Sequence, residues 1–229
     1  METARISIII PVLNEAADTI RSTLASVQNV ENVEVIVVDG GSQNETVALM
    51  QLWGVKVLSS AAGRACQMNA GATAATGDIL LFLHADTSLP PGFEKLVPLT
   101  LAQSGTVAGA FELKINSRMR SLRLVEKMVN WRSRFFSLPY GDQAIFLKTS
   151  VFQDVGGFPD LPIMEDFELI CRLKRLGRVA IVPTPVMTSA RRWQKLGVLK
   201  TTLINQIVIL GYFLGVPPSQ LVKLYRPNK

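Results

Sequence analysis

The chain has 229 residues, is 48% hydrophobic and carries a formal net charge of +6 at pH 7. That length and apolar content suffice for one domain with a sizeable core and exclude a disordered or low-complexity chain. Cys66 and Cys171, the two cysteines, both fall in helix-like segments, which favours two reduced structural thiols over a disulfide framework or zinc site.

From Met1 the sequence runs into a strand pattern at Ile6–Pro11 without the charged leader and apolar stretch of a secretory signal, so a cytoplasmic location is expected. Asn14–Gln28 reads as a turn and helix with Asp18 as its cap, and Val33–Asp39 as a second strand. Helix Asn44–Trp53, strand Lys56–Ser59, helix Ala65–Thr76 and strand Ile79–Leu83 follow in strict alternation, the pattern of a doubly wound α/β sheet. Gly77-Asp78 closes one helix, and Pro90-Pro91-Gly92 opens the next. Beyond Gly105 the rhythm loosens: a strand at Val107–Leu113, a helical or mobile stretch at Arg118–Phe136, a short strand at Ala144–Leu147 and an amphipathic helix over Glu165–Leu176.

Val198–Val216 is strongly apolar but holds Lys200, Asn205 and Gln206 and is broken by Gly211 and Gly215, a poor pattern for a membrane span. It reads as a helix packed on the domain or on a second copy in a homodimer, with a position in a membrane interface as the other reading. Arg191, Arg192 and Lys195 precede it, Lys200 falls at its start, and Lys223 and Arg226 follow it.

Charge is uneven along the chain. Residues 1–110 hold 5 Lys and Arg against 10 Asp and Glu, whereas residues 111–229 hold 19 against 8. Lys114, Arg118, Arg120, Arg123, Lys127, Arg132 and Arg134 are answered locally by Glu112 and Glu126. This cluster is either a solvated helix face or a surface for phosphate or anionic lipid; without an RNA-binding aromatic signature, nucleic acid is not expected as a partner.

Two buried-strand patterns each deliver an aspartate at the carboxyl end, Asp39 in Asp-Gly-Gly-Ser and Asp86 in His-Ala-Asp-Thr, where open α/β sheets bind ligands. The ordered series IIIPVLNE, VIVVDGGSQNET, GRACQMNAGA, LLFLHADT, YGDQ and MEDFEL resembles the family 2 glycosyltransferases of GT-A fold, over residues 6 to about 193. Within that family it is most similar to a bacterial subgroup whose strand ends in Leu-His-Ala-Asp-Thr. The resemblance implies a mixed, mostly parallel sheet with helices on both faces. One domain is expected over 1–229, with a nucleotide-binding half (1–110), an acceptor half (111–195) and a carboxyl-terminal apolar helical segment (196–229).

It further implies transfer of a sugar, with inversion, from a nucleotide-sugar donor, taken as a UDP-sugar, to an acceptor hydroxyl on a lipid-linked or saccharide molecule. Pro11, Val12, Asn14, Glu15, Asp39, Gly40, Gly41, Ser42, Arg64, Gln67, His84, Ala85 and Asp86 form the expected nucleotide-sugar site. Asp39 would accept the imide N–H of uracil, Gly40-Gly41 would let backbone come close, and Arg64 would fork onto the diphosphate. Asp86, the last acid of the family's Asp-x-Asp motif, would ligate Mn²⁺ or Mg²⁺; His84 replaces the first acid, removing one negative charge. Asp166 is assigned as the general base with Glu165 beside it, and Asp142, Gln143 and Trp193 as the acceptor side. Arg191-Arg192-Trp193 loosely resembles the Gln-x-x-Arg-Trp motif of processive relatives, but Gln194 follows the tryptophan and processivity is not inferred. Two other readings stay open. A nucleotidyltransferase lacks its glycine-rich, lysine-bearing start here, and a non-catalytic nucleotide-binding regulator draws support from His84.

Overall fold

The computed structural model describes residues 4–43 and 46–225, so Met1, Asn44 and Arg226 lie outside the described residues. The chain runs β1 (Ile6–Val12), α1 (Ala17–Ala25), β2 (Val33–Asp39), α2 (Thr46–Leu52), β3 (Lys56–Ser59), α3 (Arg64–Thr73), β4 (Ile79–Phe82) and β5 (Thr87–Ser88). It continues through α4 (Phe93–Leu101), β6 (Thr106–Asn116), α5 (Arg120–Phe136), a 3-10 turn at Gly141–Gln143, β7 (Phe146–Lys148), α6 (Thr149–Asp154) and α7 (Glu165–Leu176). β8 (Arg178–Ser189), α8 (Arg191–Leu196), α9 (Val198–Phe213) and α10 (Pro218–Tyr225) complete it.

The strands form an eight-stranded sheet in the order β3-β2-β1-β4-β7-β6-β8-β5. Pairings are parallel except where β7 meets β4 and β6, and where β5 meets β8. The sheet is therefore mixed and mostly parallel. Every residue of β1 and β4 is buried, because helices cover both faces: α1, α2, α4 and α5 pack on one, and α3, α6 and α7 on the other. Close approach on the second face requires Gly71 in α3, where a Cβ would come within 2.4 Å of Ile9 Cγ2. Because β2 lies on one side of β1 and β4 on the other, the strand order reverses at β1, and a crevice opens at the carboxyl ends of β1 and β4.

Several sequence expectations are corrected. Asp18 is not a cap: it sits in the first turn of α1 after Ala16, with no side-chain capping bond, and there favours the helix electrostatically. The strand read at Val107–Leu113 extends to Thr106–Asn116, and that at Ala144–Leu147 shifts to Phe146–Lys148 after Ala144 takes a left-handed φ of 51°. β8 has no counterpart in the sequence reading because Pro183 and Pro185 interrupt its pattern. The pairing with β6 jumps from Phe111–Val182 to Glu112–Pro185, so Pro183 and Thr184 stand in an irregularity that tolerates a missing N–H.

The carboxyl-terminal segment does pack on the domain. Val208 and Leu221 bury against Ile163, Met164 and Phe167 at the start of α7. Among the described residues no helix is long and apolar enough to cross a membrane.

Candidate active site

The ends of β1 and β4 and the starts of α3 and α7 converge at the crevice. Pro11 and Val12 at the end of β1 and Leu13 and Glu15 after it, with Gly63 before α3, Arg64 and Gln67 of α3 and His84–Asp86 after β4, line a cleft of about 380 Å³. A second cavity of about 230 Å³ adjoins it and is lined by Asp86, Asp142, Glu165, Asp166, Trp193 and others. Arg64, His84, Asp86, Arg192 and Tyr225 line both. The two spaces therefore meet at a shared wall, with strand-end residues on one side and the start of α7 on the other.

The expected donor residues divide into liners and builders. Gln67 is buried, and its Nε2 donates to the carbonyls of Val12 at 2.7 Å and Val38 at 2.8 Å, tying the ends of β1 and β2 together. The Ser42 hydroxyl accepts the Asn14 N–H at 2.9 Å, and the Asn14 side-chain oxygen accepts the Gln43 N–H at 2.9 Å, so these two residues lock the neighbouring loops. Asp39 is 5% exposed, and its oxygens accept the N–H groups of Gly41 and Ser42 at 3.0–3.1 Å. Its carboxylate thereby shapes the Gly-Gly-Ser loop at the carboxyl end of β2.

Arg64 is the hub of the wall. Its Nε lies 3.1 Å from Glu165 Oε1, and its NH1 3.2 Å from His84 Nε2. A guanidinium has only donors, so His84 Nε2 is the acceptor and the neutral ring carries its proton on Nδ1. Burial, reinforced by the Arg64 charge, pulls the His84 pKa down to about 3. Burial opposes the charge on Arg64 too, but Glu165 and Asp166 outweigh it and raise its pKa.

Met164, before Glu165, has a left-handed φ of 70°, a conformation that costs a residue with a Cβ about 1–2 kcal/mol. The turn sets Glu165 and Asp166 at the amino end of α7. Asp166 accepts the Gly141 N–H at 2.6 Å and the Phe167 N–H at 2.8 Å, which fixes its carboxylate against the 3-10 turn. A Cβ on Gly141 would come within 2.8 Å of His84 Nε2, so the backbone there can approach only as glycine.

Asp142, in the same turn, has a buried Oδ1 with no hydrogen-bond partner among the described residues. Burial pushes its pKa up to about 6, assisted by Asp166 and Asp86 and opposed by Arg132. Gln143, expected beside it on the acceptor side, is fully buried instead. Its amide donates to the Phe111 carbonyl at 2.8 Å and accepts from Ser133 at 2.8 Å, holding the turn from behind. Trp193 lines the cavity and is 9% exposed, its Nε1 without a hydrogen-bond partner among the described residues.

Asp86 and Glu15 share one guanidinium: Arg191 NH2 lies 2.8 Å from Glu15 Oε2 and 3.3 Å from Asp86 Oδ2. Among the described residues no group of three His, Cys, Asp or Glu is placed to hold a metal ion. Two converging carboxylates already bound to one cation nevertheless fit a hard ion that takes its remaining ligands from phosphate and water, as Mg²⁺ does. His84 does not fit as a ligand through Nε2, which Arg64 occupies.

Sequence reasoning missed Arg191 as the partner of Glu15 and Asp86, and missed Tyr225, whose ring lies 3.6 Å from the Arg192 guanidinium carbon. The Arg191-Arg192-Trp193 motif marked the first, and nothing local marked the second.

The profile of glycosyl transferase family 2 matches residues 7–154, which take in both strand-end motifs, Arg64 and Asp142. The chain belongs to glycosyl transferase family 2. Its fold is that of the GT-A glycosyltransferases. The mannosyltransferase PcManGT from Pyrobaculum calidifontis, in complex with GDP-Man and Mn²⁺, superposes with a TM-score of 0.64 at 21% identity over 88% of this family 2 chain and 62% of that one. S. aureus TarS gives 0.65 at 19% identity over 93% and 43%. GalNAc-T7 with UDP, GalNAc and Mn²⁺ gives 0.65 at 17% over 82% and 44%. The family 2 chain thus spans less than two thirds of each of these structures. No curated protein matches it.

Proposed function

We propose that this chain transfers a sugar, with inversion, from a UDP-sugar in the strand-end cleft to an acceptor oxygen in the adjoining cavity. The observation that carries the reading is the shared wall: Asp86 borders both spaces, while Asp142 and Asp166 border only the second. Family membership and the GT-A fold support the same chemistry, as do the nucleotide sugars bound by PcManGT and by TarS 1-349.

In this scheme Pro11–Glu15 take the nucleoside and Arg64 supplies positive charge beside the diphosphate. Asp86, with Glu15, would hold a divalent ion, whose role when bound is to neutralise charge on the departing nucleoside diphosphate. The acceptor oxygen forms a bond to the anomeric carbon as the bond from that carbon to the diphosphate breaks. The electron pair leaves with the nucleoside diphosphate, and the proton passes to Asp166. The backbone donors at Gly141 and Phe167 orient that carboxylate.

Asp166→Asn should fold with a lowered melting temperature, since its amide nitrogen cannot accept one of the two backbone N–H groups, and should keep its calorimetric UDP–Mn²⁺ binding while losing transfer by at least about 100-fold, the usual contribution of a general base. Full transfer by that variant would remove Asp166 from the mechanism. Asp142 gives a second reading of the base, favoured by its unpartnered Oδ1 and raised pKa. If Asp142→Asn shows the 100-fold loss and Asp166→Asn does not, the proton goes to Asp142.

A further inference from the structure

The catalytic cavity does not end at Asp142. Tyr140, Asp142, Trp193, Asn205 and Ile209 border it and also a groove of about 640 Å³ between α5 and α9. Leu113, Val125, Met128, Val129 and Trp131 make the groove wall largely apolar, with Lys127 and Arg132 as its cations. The volume lies within the range of about 300–1,000 Å³ typical of small-molecule sites, but the lining suits a hydrocarbon chain better than a saccharide.

At the junction three polar atoms are buried without a hydrogen-bond partner among the described residues: Asp142 Oδ1, Trp193 Nε1 and Asn205 Oδ1. Burying such atoms unpaired costs about 1–3 kcal/mol each, so they mark a place where a polar head group would be welcome.

The helices flanking the groove continue the pattern outward. On α5, Leu124, Met128, Trp131 and Phe135 recur at helical spacing and are 62%, 54%, 55% and 71% exposed, and Met128 and Trp131 belong to the groove wall as well. Arg120, Lys127 and Arg134, all exposed, repeat every seventh residue beside that stripe. On α9, Leu199, Leu203, Ile207, Leu210 and Phe213 form a second exposed stripe, with Lys200 alongside it. Apolar side chains set among Lys and Arg, with a tryptophan in the stripe, suit a face lying in the interface of an anionic bilayer. The centre of a protein–protein contact, by contrast, is depleted in lysine.

We propose that the acceptor is a membrane lipid, whose apolar chain lies in the α5–α9 groove and whose head presents its nucleophilic oxygen at Asp142 and Asp166. The α5 and α9 stripes rest in the bilayer interface. The proposal rests on the glycosyl-transfer reading above; its bond changes are those given there, with the lipid head oxygen as the attacking atom.

Flotation of the full chain is to be measured with vesicles of phosphatidylcholine alone and mixed with phosphatidylglycerol. Preferential flotation with the mixed vesicles, weakened by salt, is expected. Brominated phosphatidylcholine in the mixed vesicles should quench the intrinsic fluorescence, and Trp131→Phe should remove most of that quenching although Trp53 and Trp193 remain. Leu124→Asp combined with Leu203→Asp should lower vesicle binding at least tenfold without shifting the melting temperature, since both positions are exposed.

No flotation with mixed vesicles, or quenching left undiminished by Trp131→Phe, overturns the proposal. So does a dimer in sedimentation that the double variant dissociates, which would assign the face to a second copy. Calorimetry with UDP and Mn²⁺ on the same samples separates the two levels. UDP binding without flotation defeats the lipid proposal alone, whereas flotation without UDP binding defeats the glycosyl-transfer reading beneath it.

Discussion

Replacing Arg64 by methionine keeps the length and apolar body of the side chain and deletes the charge that holds the wall between the two cavities. Glu165, whose side chain is 3% exposed, then keeps a negative charge with its guanidinium partner gone, and His84 Nε2 loses the donor 3.2 Å away. Breaking a fully buried ion pair costs about 3–5 kcal/mol. The Arg64 side chain is 29% exposed, so water softens the loss, and about 2–4 kcal/mol is expected. For a protein of this size that corresponds to a fall in Tm of about 5–15 °C. Urea denaturation followed by circular dichroism measures it. The double variant Arg64→Met/Glu165→Leu removes both charges and should recover most of the loss, because the penalty comes from a buried carboxylate that has lost its counter-charge. A single variant that loses less than about 1 kcal/mol, or a double variant no better than the single, would refute this account of the wall.

Asp142→Asn should be more stable than the parent at pH 8, by about 1–3 kcal/mol, and equal to it below pH 4, in denaturation without added metal. A carboxyl whose pKa is raised to about 6 in the fold favours folding while protonated, and that advantage fades as pH climbs from the ordinary carboxylate range through about 6. His84 has the opposite sign: held neutral down to about pH 3, it contributes stability above its unfolded pKa of about 6.5, and this is lost as pH falls toward 3. A histidine resonance titrating near 6.5 by NMR would contradict that. Arg191→Ala should change stability by less than about 1 kcal/mol, since the side chain is 46% exposed, yet tighten Mn²⁺ binding in calorimetry with UDP by removing a cation that competes for Asp86. Gly71→Ala should destabilise by about 1–3 kcal/mol despite alanine's helix preference of about 1 kcal/mol, because its Cβ would meet Ile9 at 2.4 Å; a neutral or stabilised variant would count against the tight α3–β1 contact.

The amino-terminal half was readable because its signals are local. Unbroken apolar strands such as Val35–Val38, glycine and proline at helix ends, and an acid just past each strand are enough to place Asp86 at the mouth of a parallel sheet. The motif order pointed to the family for the same reason, since each motif is a strand end or helix start that the fold repeats in one sequence. β8 was lost because two prolines break the period-2 pattern, and only its pairing with β6 shows that the irregularity absorbs them. Gln143 was misjudged because residue type does not reveal which side chain a backbone will occupy: its amide is taken up by the Phe111 carbonyl and Ser133.

Periodicity and turn chemistry act over a few residues, and through them the linear chain already dictated the alternating β and α elements of its first half, the end of the sheet where the crevice opens and the acids delivered there. Which acids share a cavity depends on contacts between distant segments. Glu165 meets Arg64 across 101 positions, Arg191 reaches Glu15 across 176, and Tyr225 from the far end enters the wall of the crevice. Such contacts follow from packing whole helices on a finished sheet, where burial and shape choose the partner, and no local pattern encodes that choice.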